Sequence, residues 1–306
     1  MIVRRYLKVS SILRYTWRSL AFFGLAAFVA AYLYRQAGYM SIAIPVAAIG
    51  PLGAALAIFL AFRNSSAYDR WWEARKLWGG LVNESRNFTR QITTFATGHG
   101  DPEPPEHELE AYQREMVHRH IAYIHALRQH LRRQQNCDEL SSLLPDGEVQ
   151  HYRGVSNLPA SIAQRQGERL RDAFECGYIE SFRHMQLDST MSRILDLQGG
   201  CERIKGTPLP RQYDYFPQVF LYVYAMFLPF GLVEHFGWFT AIISVPISFV
   251  FLVLQAAGRV NEDPFENRWT DTPMSTLSRM IEINLRELIG ERELPEPLKV
   301  VDGVLY

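Results

Sequence analysis

Ala61-Phe-Arg-Asn-Ser-Ser-Ala-Tyr-Asp-Arg-Trp-Trp-Glu-Ala-Arg-Lys-Leu-Trp78 begins as the end of an apolar run and turns, with no turn chemistry between, into an Arg- and Trp-rich polar segment. No Gly or Pro falls between Leu60 and Trp78, so a single helix is predicted to leave a bilayer near Phe62 and continue into water. Along it Trp71, Ala74, Trp78, Leu81, Ser85, Phe88 and Ile92 recur at alternating spacings of three and four, the pattern of a packed seam. Gly79 and Gly80 weaken the helix without shifting that register. A helix of this build can line a pathway through a membrane and extend it beyond.

Averages over the chain hide this. The 306 residues carry 32 basic and 32 acidic side chains, a formal net charge of +0 and a mean hydropathy of -0.11, values that suit a water-soluble protein. The average mixes two materials. Residues 19–34, 39–62, 216–233 and 236–257 contain no acid or base. Each is close to the ~20 residues that cross ~30 Å of hydrocarbon at ~1.5 Å per residue, the first being the shortest. Four spans and an all-α polytopic membrane protein are therefore predicted, with four regions: an N-terminal segment and first hairpin (1–62), a helical polar region (63–215), a second hairpin (216–257) and a C-terminal segment (258–306).

The flanks orient the spans. Arg4, Arg5, Lys8, Arg14 and Arg18 precede the first; Arg63, Arg70, Arg75 and Lys76 follow the second; Arg203, Lys205 and Arg211 precede the third; Arg259 and Arg268 follow the fourth. The hairpin loops offer Arg35 on one and no Lys or Arg in Glu234-His235 on the other, which puts both termini and the middle in the cytoplasm. Trp17, Tyr32, Tyr34, Tyr39, Tyr215 and Trp238 fall where an interfacial aromatic belt belongs. A signal peptide is the competing reading of the N-terminus, but no small-residue cleavage site follows Tyr34 and another full span comes next. Cys137, Cys176 and Cys201 are odd in number, lack C-x-x-C spacing and lie on the cytoplasmic side, so they are expected to be reduced.

In the polar middle, 120–133 and 162–197 carry apolar residues at helical spacing, while 99–107 and Leu144-Pro-Asp-Gly147 read as loops. No P-loop, G-x-G-x-x-G fingerprint or G-x-S-x-G elbow occurs, so neither enzyme chemistry nor a cofactor is expected, and no nucleic-acid partner. His118, His120, His125 and His130 are two, five and five residues apart, whereas a helix gathers metal ligands at separations of three or four. Packed or solvated histidines are the reading there, with no metal.

The second span is more informative. Ile44-Pro-Val and Gly50-Pro-Leu-Gly53 lie within it, and such residues are tolerated in a span where neighbouring helices or a cavity satisfy the freed backbone. A kink in a packed bundle is the plain reading; a pore-lining helix is the sharper one. Ala54, Ile58 and Phe62 recur every four residues, and in a rotationally symmetric oligomer each would become an apolar ring that resists wetting and gates ions.

Arg70-Trp71-Trp72 after the second span, Pro217 at the start of the third, Asn261-Glu-Asp-Pro-Phe265 after the fourth, and Gln198-Gly-Gly-Cys-Glu-Arg203 with Thr207-Pro-Leu-Pro210 before the third together resemble the bestrophin family, its bacterial homologues most. The match covers both hairpins and their polar extensions and is thin between about 98 and 160. The resemblance implies a homopentamer in a bacterial inner membrane, in contact with lipid, with the second span lining a narrow neck at Ala54, Ile58 and Phe62. Ala54 departs from the family by being small. A second, cytoplasmic aperture is implied on the helix containing Ile179 and Met185. Eukaryotic relatives follow the Asn/Asp-Pro-Phe motif with acids that help bind calcium. Here Glu266 and Asp271 are the acids of that run and Arg268 stands among them, so a poor calcium site and no calcium control are expected.

The resemblance leaves the ion open between chloride, as in eukaryotic bestrophins, and monovalent cations. Asp172, Glu175, Glu180, Asp188 and Asp196 on the helix thought to line the vestibule would repeat as acidic rings and favour sodium and potassium. Arg169, Arg171, Arg183 and Arg193 on the same stretch weigh against that. The expectation is a channel for monovalent cations; the alternatives are an anion channel of the same type and a non-conducting membrane scaffold or sensor.

Overall fold

The computed structural model describes residues 1–3, 9–99, 104–134, 136–145 and 147–306. Arg4, Arg5 and Lys8 of the first basic flank, residues 100–103 of the 99–107 loop and Asp146 of the following turn lie outside the described residues. Among the described residues the chain is all-α: α1 (Val9–Arg35), α2 (Val46–Phe95), α3 (Glu106–Leu131), the single-turn α4 (Glu148–His151), α5 (Leu158–Glu175), α6 (Ser181–Gly206), α7 (Gln212–Phe236), α8 (Thr240–Asn261) and α9 (Met274–Leu288). Two compact units divide it. One, mainly apolar, comprises Arg4–Trp71 and Pro208–Asp263; the other, mainly polar, comprises Met1–Val3, Trp72–Thr207 and Pro264–Tyr306. The division falls inside α2, between Trp71 and Trp72.

Among the described residues three stretches are long and apolar enough to cross a membrane, one at Thr16–Arg35, one within Met40–Phe95 and one within Gln212–Asn261. The last contains both α7 and α8, which pack on each other and are joined by a tight turn at Gly237–Phe239 with Gly237 at φ +53. α2 starts later than the apolar run that encodes it. Tyr39 was expected to open the span, yet Met40–Ile42 is a 3-10 turn, Ala43 is extended, and the helix begins at Val46, directly after Pro45. Proline suits a helix start and drives the residue before it out of the helical region, so Ile44-Pro45 marks the beginning of α2 and not a kink inside it. Pro51 is the proline inside the helix. The Ile44 N–H donates to the Phe230 carbonyl at 3.0 Å, which keeps the non-helical approach satisfied.

In the apolar unit α1 packs on α7 and α8. Phe23, Leu56, Leu60, Leu221, Ala225 and Leu252 form its core. Ala27, Ala30 and Ala31 of α1 and Ser244 and Ser248 of α8 are buried, and small side chains of this kind let helices approach closely where lipid supplies no hydrophobic drive. Phe22, Leu25 and Phe28 of α1, Phe220, Val223 and Phe227 of α7 and Ile242 and Val250 of α8 remain exposed, an apolar surface that water would oppose and hydrocarbon accommodates.

The polar unit is built around α3, which packs on α5, α6 and α9. α3 begins at Glu106, within the Pro-rich loop of the sequence reading, because Pro105 precedes it and Glu106 and Glu108 complement the positive end of its dipole. The α2 seam is buried: Ala74, Trp78, Leu81, Ser85, Phe88 and Ile92 sit in this core and Trp71 is half-buried. The seam is consumed by the chain's own packing, so it carries no information on assembly. Gly80 and Gly200 form a reciprocal notch: a Cβ on Gly80 would stand 2.8 Å from a Leu197 methyl, and one on Gly200 would stand 2.8 Å from a Leu77 methyl. The apparent 162–197 helix is two helices. α5 closes with Gly177 at φ +73, its N–H bonded to the Phe174 carbonyl at 3.1 Å and the Tyr178 N–H to the Ala173 carbonyl at 2.8 Å, a Schellman ending.

Candidate functional site

In the apolar unit α2 presents two faces. Ile49, Leu56, Leu60, Arg63 and Ala67 are buried, whereas Ala54, Ile58 and Phe62 share the opposite face and are exposed, Ile58 by 57% and Phe62 by 67%. Behind Ala54, the absence of a side chain at Gly53 admits the Tyr224 ring, whose Cε2 would lie 2.9 Å from a Cβ placed there. Tyr224 in turn meets Phe251 edge-on, with ring centroids 5.2 Å apart. The exposed apolar stripe therefore stands on a helix whose other side is packed against α7 and α8.

Directly after Phe62, Arg63 is 1% exposed. Sequence reasoning placed it among solvated flank cations and missed its partners. Its Nη2 donates to Asp214 Oδ1 at 2.5 Å and lies 3.5 Å from Glu262 Oε2, and its Nη1 donates to the Gln255 carbonyl at 3.1 Å. Asn64 Nδ2 donates to the Leu254 carbonyl at 3.0 Å, and Arg70 Nε donates to the Glu262 carbonyl at 2.7 Å. Leu254 and Gln255 lie about two turns before the end of α8 and Glu262 caps it. Gly258 makes the approach possible, because a Cβ there would overlap Asn64 Oδ1. Burial pushes the Glu262 carboxyl above its ordinary range against the opposing pull of Arg63. The sequence signal was acids on the flanks of the second hairpin, Asp214 before it and Glu262-Asp263 after it.

The proposed vestibule acids divide differently from the single acidic helix expected. Asp172 lies 3.5 Å from Arg169 and 3.3 Å from Arg171, Glu175 lies 3.7 Å from Arg171, and Glu180 lies 3.8 Å from Arg183. Asp172 and Glu175 belong to α5, Glu180 precedes α6, and Asp188 and Asp196 are on α6. Asp188 and Asp196 are exposed, and among the described residues neither has an ion-pair partner. The two aperture candidates also separate. Ile179 is 2% exposed, packed in the core of the polar unit and outside α6, while Met185 is on α6 and 65% exposed. Phe182, which the sequence reading did not single out, lies three residues before Met185 and is exposed on α6.

The run after α8 turns its acids inward. Asp271 is buried, and its Oδ2 accepts the main-chain N–H of Glu266 at 2.7 Å and of Arg268 at 3.0 Å. Glu266 is paired with Lys205 at 2.5 Å. Two main-chain N–H groups and an ammonium thus face the two carboxylates that a calcium site would need. The histidines go to separate partners: His118 to Glu291 at 2.7 Å, His125 to Glu282 at 3.0 Å, His130 to Glu202 at 3.5 Å and His120 to Ser85 Oγ at 2.9 Å. Burial lowers His120 to about 3, so it is neutral. Among the described residues no group of His, Cys, Asp or Glu is arranged to hold a metal.

An all-helical membrane protein with an exposed apolar face on an anchored helix is the class these features define. A profile described as bacterial/fungal bestrophin protein matches residues 3–287, and the chain belongs to that family. The voltage-dependent anion channel-forming protein of Ralstonia nicotianae is 39% identical over 243 residues, which cover 79% of this chain and 77% of that one. The voltage-dependent anion channel-forming protein YneE of Escherichia coli is 34% identical over 258 residues, covering 84% and 81%. Among solved structures, a bacterial bestrophin homologue from Klebsiella pneumoniae aligns with a TM-score of 0.80 at 30% identity over 89% of this chain and 98% of that one.

Proposed function

We propose that the protein is a bestrophin-type ion channel of a bacterial inner membrane, a homopentamer around one pore whose narrow neck is formed by Ala54, Ile58 and Phe62. The observation that carries this is the exposed apolar stripe at four-residue spacing on a helix whose opposite face is core. α1, the first half of α2, α7 and α8 are the four passes, and the basic flanks put both termini on the cytoplasmic side. Met185, with Phe182 beside it, is the aperture candidate; Ile179 lacks the free surface the role requires.

For the permeant ion the reading turns from cations to monovalent anions. Three of the five acids invoked for a cation preference are compensated by Arg169, Arg171 and Arg183, and the relatives from Ralstonia and Escherichia are named as anion channels. The unpaired Asp188 and Asp196 are the specific observation that favours the cation reading instead. With Asp271 and Glu266 both engaged, calcium does not gate the channel. No enzymatic role is proposed. Purified protein in liposomes under asymmetric salt tests the assignment: a reversal potential near the chloride equilibrium supports it, a value near that of sodium or potassium replaces the ion, and absent flux in a folded oligomer leaves a scaffold or sensor.

A further inference from the structure

We propose that Arg63, through Asp214 and the Gln255 carbonyl of α8, is the positioning residue that holds the Phe62 ring in the neck. The proposal rests on the neck reading above. Arg63 follows Phe62 in α2, so any rotation or slide that carries the ring out of its place must also move the guanidinium. That guanidinium is buried and held on two sides. Nη2 engages Asp214 of α7 and approaches Glu262, while Nη1 engages the Gln255 carbonyl of α8. One side chain thereby ties α2 to both helices of the second hairpin at the level of Phe62.

Two further contacts fix the same register. Asn64 bonds the Leu254 carbonyl, so consecutive α2 residues grip consecutive carbonyls of α8, and Gly258 leaves room for that grip. Arg70, two turns along α2, bonds the Glu262 carbonyl. Geometry rather than charge alone decides the arrangement, because a guanidinium can donate in two directions at once and an ammonium acts as a point charge. A buried cation that loses its partner is costly, so the native register is favoured over neighbouring ones. Asp214 and Glu262 are more exposed than Arg63, at 30% and 16%, so changing Asp214 leaves Arg63 a second carboxylate and a carbonyl and permits folding.

The experiment compares ion flux through purified pentamer in liposomes for wild type, Asp214→Asn, Phe62→Ala and the double variant. Asp214→Asn is expected to raise flux several-fold and to have no added effect once Phe62 is Ala, because a residue acting through the ring has nothing left to position. Arg63→Lys keeps the charge and should show the same pattern; it carries the test if Asp214→Asn does not yield folded protein. Unchanged flux in Asp214→Asn beside raised flux in Phe62→Ala overturns the clamp and leaves the neck. An effect of equal size with and without the Phe62 ring also overturns it, as does failure of both Asp214→Asn and Arg63→Lys to fold. Unchanged flux in Phe62→Ala is the distinct outcome that defeats the neck reading itself.

Discussion

Buried and half-buried carboxylates in the polar unit take their charge state from named cations. Glu115 feels burial, which raises its pKa, but hydrogen bonds from Arg169 and Arg119 outweigh it. Glu282 and Glu291 are likewise burdened by burial and brought below their ordinary value of 4.5, the first by His125, Arg279 and Arg286 and the second by His118 and Arg286. A carboxyl whose folded-state pKa is depressed contributes stability above its unfolded value and loses it as pH falls through the folded one. The melting temperature should therefore fall as the pH drops below 4.5, the value these carboxyls take when unfolded; a melting temperature unchanged on acidification below it would contradict the assignment. Asp271 supports a second prediction at this scale. Asp271→Ala strips the acceptor from two loop N–H groups and should cost about 1–3 kcal/mol. Calcium should neither stabilise the native protein nor rescue this variant, and a calcium-dependent rise in melting temperature in either would reveal a site.

At the scale of the element, α2 performs two tasks on one helix. Its apolar-unit segment exposes Ile58 and Phe62, and its polar-unit segment buries Trp78, Leu81 and Phe88. Truncating the exposed pair removes no core packing, so Ile58→Ala and Phe62→Ala should raise ion flux in liposomes while leaving oligomer yield unchanged. Unaltered flux in both would move the constriction elsewhere. The reverse holds where α2 meets α6. Gly80→Ala or Gly200→Ala drives a Cβ to within 2.8 Å of a leucine methyl, so each should cost about 1–3 kcal/mol by overpacking, read as a lower melting temperature. Leu197→Ala in the Gly80→Ala background should recover part of the loss, since it removes the group that the new methyl meets.

For the whole molecule, the outward rows of Phe, Leu, Ile and Val on α1, α7 and α8 require a lipid surround, and α2 adds an apolar face of its own. The four proposed passes, without a charged residue in the apolar runs, cannot enclose a conducting path alone, so conduction implies assembly. Native mass measurement in detergent should return five copies; a dominant monomer or dimer would remove the central pore. The seam at Ala74, Trp78 and Leu81 offers no support for that count, being buried within one chain. The claim rests on family membership and on the exposed apolar face of α2.

The sequence by itself determined the apolar runs, the uninterrupted α2 across Leu60 to Trp78, the buried side of its seam and the family, because these depend on composition, periodicity and local stop signals carried by neighbouring residues. It also contained the Cys176-Gly177 helix ending, which was legible but lost beneath the surrounding helical spacing. Tertiary structure alone decided which surfaces meet. Periodicity shows that Ala74 and Trp78 share a face, yet not whether that face packs against the same chain or another. It could not pair Arg63 with Asp214 or separate the four histidines among Glu291, Ser85, Glu282 and Glu202. Charge and hydrogen bonding act over a few ångströms in space, and only the packing of helices brings residues far apart in sequence within that reach.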